Sequence, residues 1–409
     1  MTNTINTVKS ATTIISKIAA GMLADRFQFL KTVDKEPEES FAQVNGFNPG
    51  DTINISVPAR FTVGTTADVT STIQDVIEQK VPLVLNNTRN IAITLTSKEI
   101  ATDLSLKSWA NRIVKPAMSR LGQQIESECL TLAKTATYNS VGTAGSTVFD
   151  TDTMLQAREK LMTNLVPATE MFALLNSRAT RSASNARKGL FNNQAELAKT
   201  YKEGTIGAAD GFTYLENNLL PLQTLGNDVV FEVRTTVSTQ GQTTLVVEGL
   251  TTTTGTVKAG TVFTVAGVYQ VHPITKTTTD VLQQFVVASD VTADGSGYAT
   301  LTISPAMYTT GSQQNIASFP QDGDAITPVG AASTSYTQNL SYVSQAFRFI
   351  SVPLVLPDGT DMASQSTVNG VTVRVIRDYI PLTDQLIMRF DVLYGFAAVR
   401  PEWACRITA

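Results

Sequence analysis

Residues 109–137 read WANRIVKPAMSRLGQQIESECLTLAKTAT, and their spacing decides the fold. Trp109, Ile113, Ala117, Leu121, Ile125, Cys129 and Leu132 follow one another at steps of four and finally three, which places them on one face of a helix. Arg112, Arg120, Glu126 and Lys134 fall off that stripe. Pro116 lacks an N–H and crowds the preceding turn, so the sequence predicts a kink or a restart there. From Pro116 to Thr137 the helix would run about 33 Å at 1.5 Å per residue. A helix of that length is a spine, and Trp109, Ile113, Leu121, Ile125 and Cys129 are its expected core side.

Before the spine, residues 46–97 alternate in hydropathy at period two, the mark of antiparallel strands with one covered face. Ile53, Ile55 and Val57 alternate in GDTINISVPARF, Val81, Leu83 and Leu85 in KVPLVLNN, and Ile91, Ile93 and Leu95 in NIAITLTS. Pro49-Gly50 supplies a turn and Gly64-Thr-Thr66 a hairpin tip, so the segment reads as a long β-projection lying on something else. Residues 5–33 read as an amphipathic helix with Ile14, Ile15, Ile18, Met22 and Leu23 on one face, closed by Asp34-Lys-Glu-Pro-Glu-Glu39. That face docks on the chain's own core or on a neighbouring subunit. Lys17 interrupts the apolar stretch Ile14–Leu23, and Asp25 and Arg26 follow it, which reads as an arm rather than an export signal. No run of about 18 apolar residues predicts a membrane span.

After the spine, TDTMLQAREKLMTN predicts a helix capped by Asp150 or Thr151, MFALLN a short buried strand, and SRATRSASNARKGL a polar helix or loop. Residues 225–340 then change character, with eight acidic side chains against three basic, while the rest of the chain holds 28 Lys/Arg against 27 Asp/Glu. Short strands such as DVVFEV, TTLVVEG, GTVFTVAGVYQV, LQQFVVASDV and GYATLTI succeed one another between turns. An acidic all-β barrel or sandwich inserted into a mixed chain is the natural reading. Residues 346–409 return to long strands: FRFISVPLVL, VTVRVIRDY and QLIMRFDVLYGFAAVRPEWACRIT. The fold class is α+β.

Composition narrows the function. Only 16% of residues are charged, against roughly 25% in ordinary soluble domains, so neutral Thr, Ser, Asn and Gln cover the surface. The net charge of −4, with no Lys/Arg run, argues against a nucleic-acid reader. Cys129 and Cys405 are too far apart in sequence to suggest a framework and read as reduced, apolar thiols suited to a reducing cytoplasm.

Chemistry is hard to build from these residues. His272 is the lone histidine, which leaves zinc cages and Ser-His or Cys-His triads without partners. Gly204, Gly207 and Gly211 resemble a phosphate loop only weakly, lacking its Lys-Ser/Thr. Asp322 with Asp324 and Asp290 with Asp294 sit in Gly-rich turn sequence, where turn formation outweighs glycoside hydrolysis or calcium binding. The residues therefore predict no catalytic, cofactor or metal site.

Three stretches resemble coat proteins of short-tailed phages of the P-twenty-two type, built on the Hong Kong 97-type capsid fold. They are GTIGAADGFTYLENNLLP (204–221), KAGTVFTVAGVYQVHPITKTTTDVLQQFVV (258–287) and LYGFAAVRPEWACRI (393–407). The resemblance implies a major capsid protein of the head shell, organised as an N-terminal arm (1–45), an extended loop (46–97), a spine helix (98–138), an axial domain with peripheral-domain segments (139–224), an inserted β domain (225–340) and a return through both domains (341–409). It implies that 139–203 joins 346–380 axially and that the closing strand joins the spine peripherally. Ile53, Ile55, Val57, Val81, Leu83 and Leu85 would then lie on a neighbouring copy, with Lys80, Arg89, Lys98, Glu99 and Asp103 as charged rims. The implied partners are sister copies in pentamers and hexamers, a scaffolding protein, a portal and decoration proteins, around DNA that is enclosed without sequence-specific binding, with no membrane. The implied location is the virion, after assembly in the host cytoplasm. An encapsulin-like shell protein and a β-rich surface adhesin are the alternatives.

Overall fold

The computed structural model describes residues 11–35, 52–61, 63, 73, 78–96, 110–146, 150–167, 169–186 and 206–408. In chain order, α1 (Ala11–Arg26) and α2 (Phe29–Thr32) precede β1 (Thr52–Val57), β2 (Gln79–Val84) and β3 (Asn87–Thr96). A π-helical turn (Ala110–Val114) runs into α3 (Lys115–Ala136), followed by β4 (Ser140–Val141), α4 (Thr151–Thr163), β5 (Met171–Leu175) and α5 (Ser177–Ala186). Next come β6 (Ala208–Ala209), β7 (Phe212–Glu216), β8 (Leu222–Thr224), β9 (Phe231–Val233), β10 (Gln242–Glu248) and β11 (Thr256–Val257). The chain continues through β12 (Val262–Val271), β13 (Thr278–Val287), β14 (Val291–Thr292), β15 (Ala299–Met307), β16 (Ala325–Pro328) and β17 (Ser335–Val343). It closes with β18 (Phe347–Val352), β19 (Met362–Val368), β20 (Val371–Ile380), β21 (Gln385–Ala398) and β22 (Ala404–Thr408). Two compact units result: Met1–Ile55, Pro82–Cys129 and Arg348–Ala397 form the first, and Ser56–Val81, Leu130–Phe347 and Ala398–Ala409 the second.

The first unit is built on a five-stranded sheet in the order β18-β21-β20-β19, with β3 also pairing β21. Ile91, Ile93 and Leu95 stand opposite Phe390, Met388 and Leu386, so β3 belongs to this sheet and not to the projection expected over 46–97. Only β1 and β2 pair as the two-stranded piece. Residues 347–380 likewise belong here, rather than with 139–203 as the resemblance implied. Alternation identifies a strand and its covered face but leaves the choice of partner open.

Helix α1 lies on β19 and β20. Its buried face is Ser16, Ala19, Ala20, Leu23 and Ala24, while Ile18 is exposed. Small residues let the helix approach closely, and at Gly122 of α3 a Cβ would stand 3.2 Å from the Leu23 side chain. The arm therefore docks on its own chain over the described residues. Ile14 and Ile15 lie outside the described side chains.

Helix α3 restarts at Lys115, beside Pro116, as the sequence requires. Leu121, Ile125 and Cys129 are buried, joined by Val114, Met118, Leu130 and Ala133. Ile113 is only half-buried, because the π turn inserts a residue that straight α spacing does not count. Leu132 is 45% exposed, since the fourth residue after Cys129 is Ala133 and not Leu132. Trp109 lies outside the described residues.

The second unit holds a seven-stranded sheet ordered β4-β22-β17-β5-β7-β6, with β8 pairing β17. The strand from residue 385 ends before a 3₁₀ turn at Pro401–Trp403, so the closing stretch is two strands, and β22 enters this sheet rather than that of the spine. Met154, Ala157 and Leu161 of α4 and Ala179 and Ala183 of α5 pack on Ala173, Leu175, Phe212 and Ile407. Asp150 caps α4, accepting from the Thr153 N–H at 3.0 Å. Between β8 and β17 the chain forms a closed six-stranded barrel ordered β10-β15-β13-β12-β16-β9. Its core, including Val233, Leu245, Phe263, Phe285 and Leu301, is drawn wholly from residues 231–326. Phe263 and Phe285 face each other across β12 and β13, with ring centroids 5.8 Å apart.

Candidate functional site

The residues with chemical potential close turns. His272 Nδ1 accepts from the N–H groups of Ile274 (3.3 Å) and Thr275 (3.2 Å) at the β12–β13 turn. Asp294 Oδ1 accepts from Ser296 and Tyr298 N–H at 2.8 and 2.9 Å, which holds its carboxyl below the usual range. Asp290 binds the Ala259 N–H at 2.7 Å and Lys258 at 2.9 Å, and Asp324 the Gln321 N–H at 2.7 Å. Gly207 precedes β6 and Gly211 lies in the β6–β7 turn, where a strand and not a helix follows. Burial drives the Cys129 thiol well up and pushes Cys405 to about 12, so both stay protonated. Among the described residues no group of three His, Cys, Asp or Glu could hold a metal, and no helix is long and apolar enough to cross a membrane.

The strands expected to meet a neighbour turn their apolar side inward. Ile53, Ile55, Val57, Leu83 and Leu85 are buried within the single chain, which corrects their assignment to a foreign surface. Gly395 of β21 makes room for two of them: a Cβ there would collide with the Leu83 side chain and stand 3.0 Å from Leu85. Val81 is half-buried and Lys80 exposed. Beyond β1, Phe61 is 60% exposed and Val63 is 92% exposed. Arg89 has a partner in its own chain, Glu128, at 2.8 Å, and Tyr394 donates to the same carboxylate. Burial works against the Glu128 charge, but hydrogen bonds from Arg89, Gln124 and Tyr394 outweigh it and hold the carboxyl below its ordinary value. Lys98, Glu99 and Asp103 lie outside the described residues.

The polar groups that position the barrel escaped the sequence reading. Gln284 of β13 hydrogen-bonds twice to the backbone of Ser140 on the edge strand β4. Arg406 of β22 donates from Nη1 to the Gly260 carbonyl at 2.8 Å, Gln223 of β8 to the Ala259 carbonyl at 3.0 Å, and Gln270 of β12 to Asn164 at 3.1 Å. Tyr138 packs with Val262 and Val286 beside them. Burial pulls the Arg406 guanidinium down to about 9. The available signal was Gln283-Gln284 inside the strand-forming run LQQFVV, where two amides interrupt an otherwise apolar sequence.

The described residues thus combine a spine helix, a two-stranded pair and a barrel docked by amide and guanidinium groups. The family model described as P22 coat protein, gene protein 5, matches residues 4–406, and the chain belongs to this family. It is a major capsid protein, a component of the phage head shell and hence of the virion capsid. Among solved structures, the capsid of Ralstonia phage GP4 is similar at 7% identity and a TM-score of 0.46, covering 88% of this chain and 84% of that one. A chain of Mycobacterium phage Che8 is similar at 12% identity and 0.44, covering 100% and 95%. The asymmetric unit of the bacteriophage PhiM1 mature capsid contains a chain similar at 8% identity and 0.44, covering 88% and 82%. No curated protein sequence matches the chain.

Proposed function

We propose that copies of this chain close into an icosahedral shell of pentamers and hexamers around DNA that they enclose without reading. The supporting observation is the coat-family match over residues 4–406. Assembly takes place in the host cytoplasm with a scaffolding protein, a portal and decoration proteins, and the chain carries out no catalysis. Within the projection, the buried Ile53, Ile55, Val57, Leu83 and Leu85 stiffen the strands, and neighbouring copies meet Lys80, Val81 and the exposed Phe61 and Val63. Each such contact is modest, and closure of the shell multiplies it. Sedimentation of the expressed chain, with and without a co-expressed scaffolding protein, tests the reading. Fast-sedimenting closed particles are expected, and a compact monomer under both conditions would contradict it.

A further inference from the structure

The second unit carries a cleft of about 530 Å³ beside the β12–β13 turn. Phe61, Val63, Leu165, Ile274 and Trp403 supply its apolar lining, and Ile274 is 71% exposed. Arg60, Lys276 and Arg400 also line it, and among the described residues no carboxylate does. Arg60 and Arg400 share one acid, Glu402, at 3.0 and 3.7 Å. Lys276 donates to the carbonyls of Ser312 and Gln314. Two of the three cations thus share one carboxylate, and the third, Lys276, meets neutral carbonyls. Their mutual repulsion is felt: burial first and Arg60 second lower Lys276, and Arg60 also opposes the charge on Arg400. Arg400 lies over the Trp403 ring at 4.4 Å, which keeps its guanidinium at the apolar lining.

A cleft with excess positive charge and an apolar lining fits a peptide that alternates acid with a hydrophobic anchor. The segment Glu36-Pro-Glu-Glu-Ser-Phe41 joins three carboxylates, without a cation, to a terminal aromatic ring. The barrel acids Asp290, Asp294 and Asp324, by contrast, are already engaged in turns. We propose that the cleft binds residues 36–41 of a second copy of this chain. The inference rests on the shell reading and names one contact that would hold copies together.

Disulfide trapping tests it in the full-length chain with Glu38→Cys and Ile274→Cys. The native thiols are buried and stay silent. Particles of the double variant should give, on oxidation, a ladder of dimers and higher species on a non-reducing gel, while each single variant stays monomeric. Particles that form without a ladder, or with only an intrachain-linked monomer, would overturn the contact and leave the shell reading intact. Absence of particles from the unsubstituted chain would instead remove the shell reading. If the double variant fails to assemble, charge reversal decides. Lys276→Glu should lower particle yield several-fold, and Glu38→Lys with Glu39→Lys in the same chain should restore it; no restoration would overturn the proposal.

Discussion

Ser140 and Gln284 exchange two hydrogen bonds: the Ser140 N–H donates to Gln284 Oε1 at 2.9 Å, and Gln284 Nε2 donates to the Ser140 carbonyl at 2.8 Å. The carboxamide thereby does for the edge strand β4 what another strand would do. An unpaired buried backbone group costs about 1–3 kcal/mol, so each half of this exchange matters. Gln284→Ala is expected to destabilise the chain by about 2 kcal/mol in urea unfolding, within the range for such groups. Gln284→Glu keeps the acceptor but loses the donor, and should fall between the two.

In the first unit, Asp391 is fully buried and bound by two guanidinium groups, Arg374 Nη2 and Arg389 Nε, each at 2.6 Å. Removing one member of a buried ion cluster leaves uncompensated charge and costs about 3–5 kcal/mol. Asp391→Ala is expected to show that loss in the denaturation midpoint. Arg389→Ala, whose side chain is half in solvent, should cost much less.

How far the sequence could be read depends on what each pattern reports. The α3 stripe of Leu121, Ile125 and Cys129 was legible because four-residue spacing persists across the helix. The barrel strands were legible because each carries its own alternation between turns, and the buried barrel core stays within the segment that was expected to be inserted. The partners were not legible. Ile53, Ile55, Leu83 and Leu85 announce a covered face, yet only Gly395, far along the chain, reveals that their own unit receives Leu83 and Leu85. Gln284 and Arg406 gave no sign of their docking role, because a polar residue in a strand looks the same whether it meets water or a buried carbonyl. The α1 face was misplaced for a related reason: Ala19, Ala20 and Ala24 are the buried side, and small residues give a weak hydropathy signal.

A barrel core drawn entirely from residues 231–326 should need little outside help. The isolated fragment 225–340 is expected to melt in one cooperative transition, followed by near-ultraviolet circular dichroism or one-dimensional NMR. A broad, non-cooperative loss of signal would show that the barrel depends on its contacts with β4, β8 and β22.

A half-buried lysine and a buried cysteine predict opposite slopes of stability with pH. Burial, aided by Arg406, lowers Lys134 from 10.5 to about 8, so its contribution is present above 10.5 and is lost as pH falls through about 8. Burial raises Cys405 from 9.0 to about 12, so its contribution is complete below 9 and is lost as pH rises through about 12. Lys134→Met should flatten the unfolding free energy between about pH 8 and 10.5, and Cys405→Ala should remove part of the alkaline fall. Unchanged profiles in both variants would count against these burial effects.

Electron cryomicroscopy of particles assembled from the expressed chain tests the shell most directly. Closed particles whose walls resolve into rings of five and six copies, each with its barrel seated on the β4 edge, are the expected result. Subunits that remain single, or that assemble only through contacts leaving Phe61, Val63 and Lys80 in solvent, would contradict it.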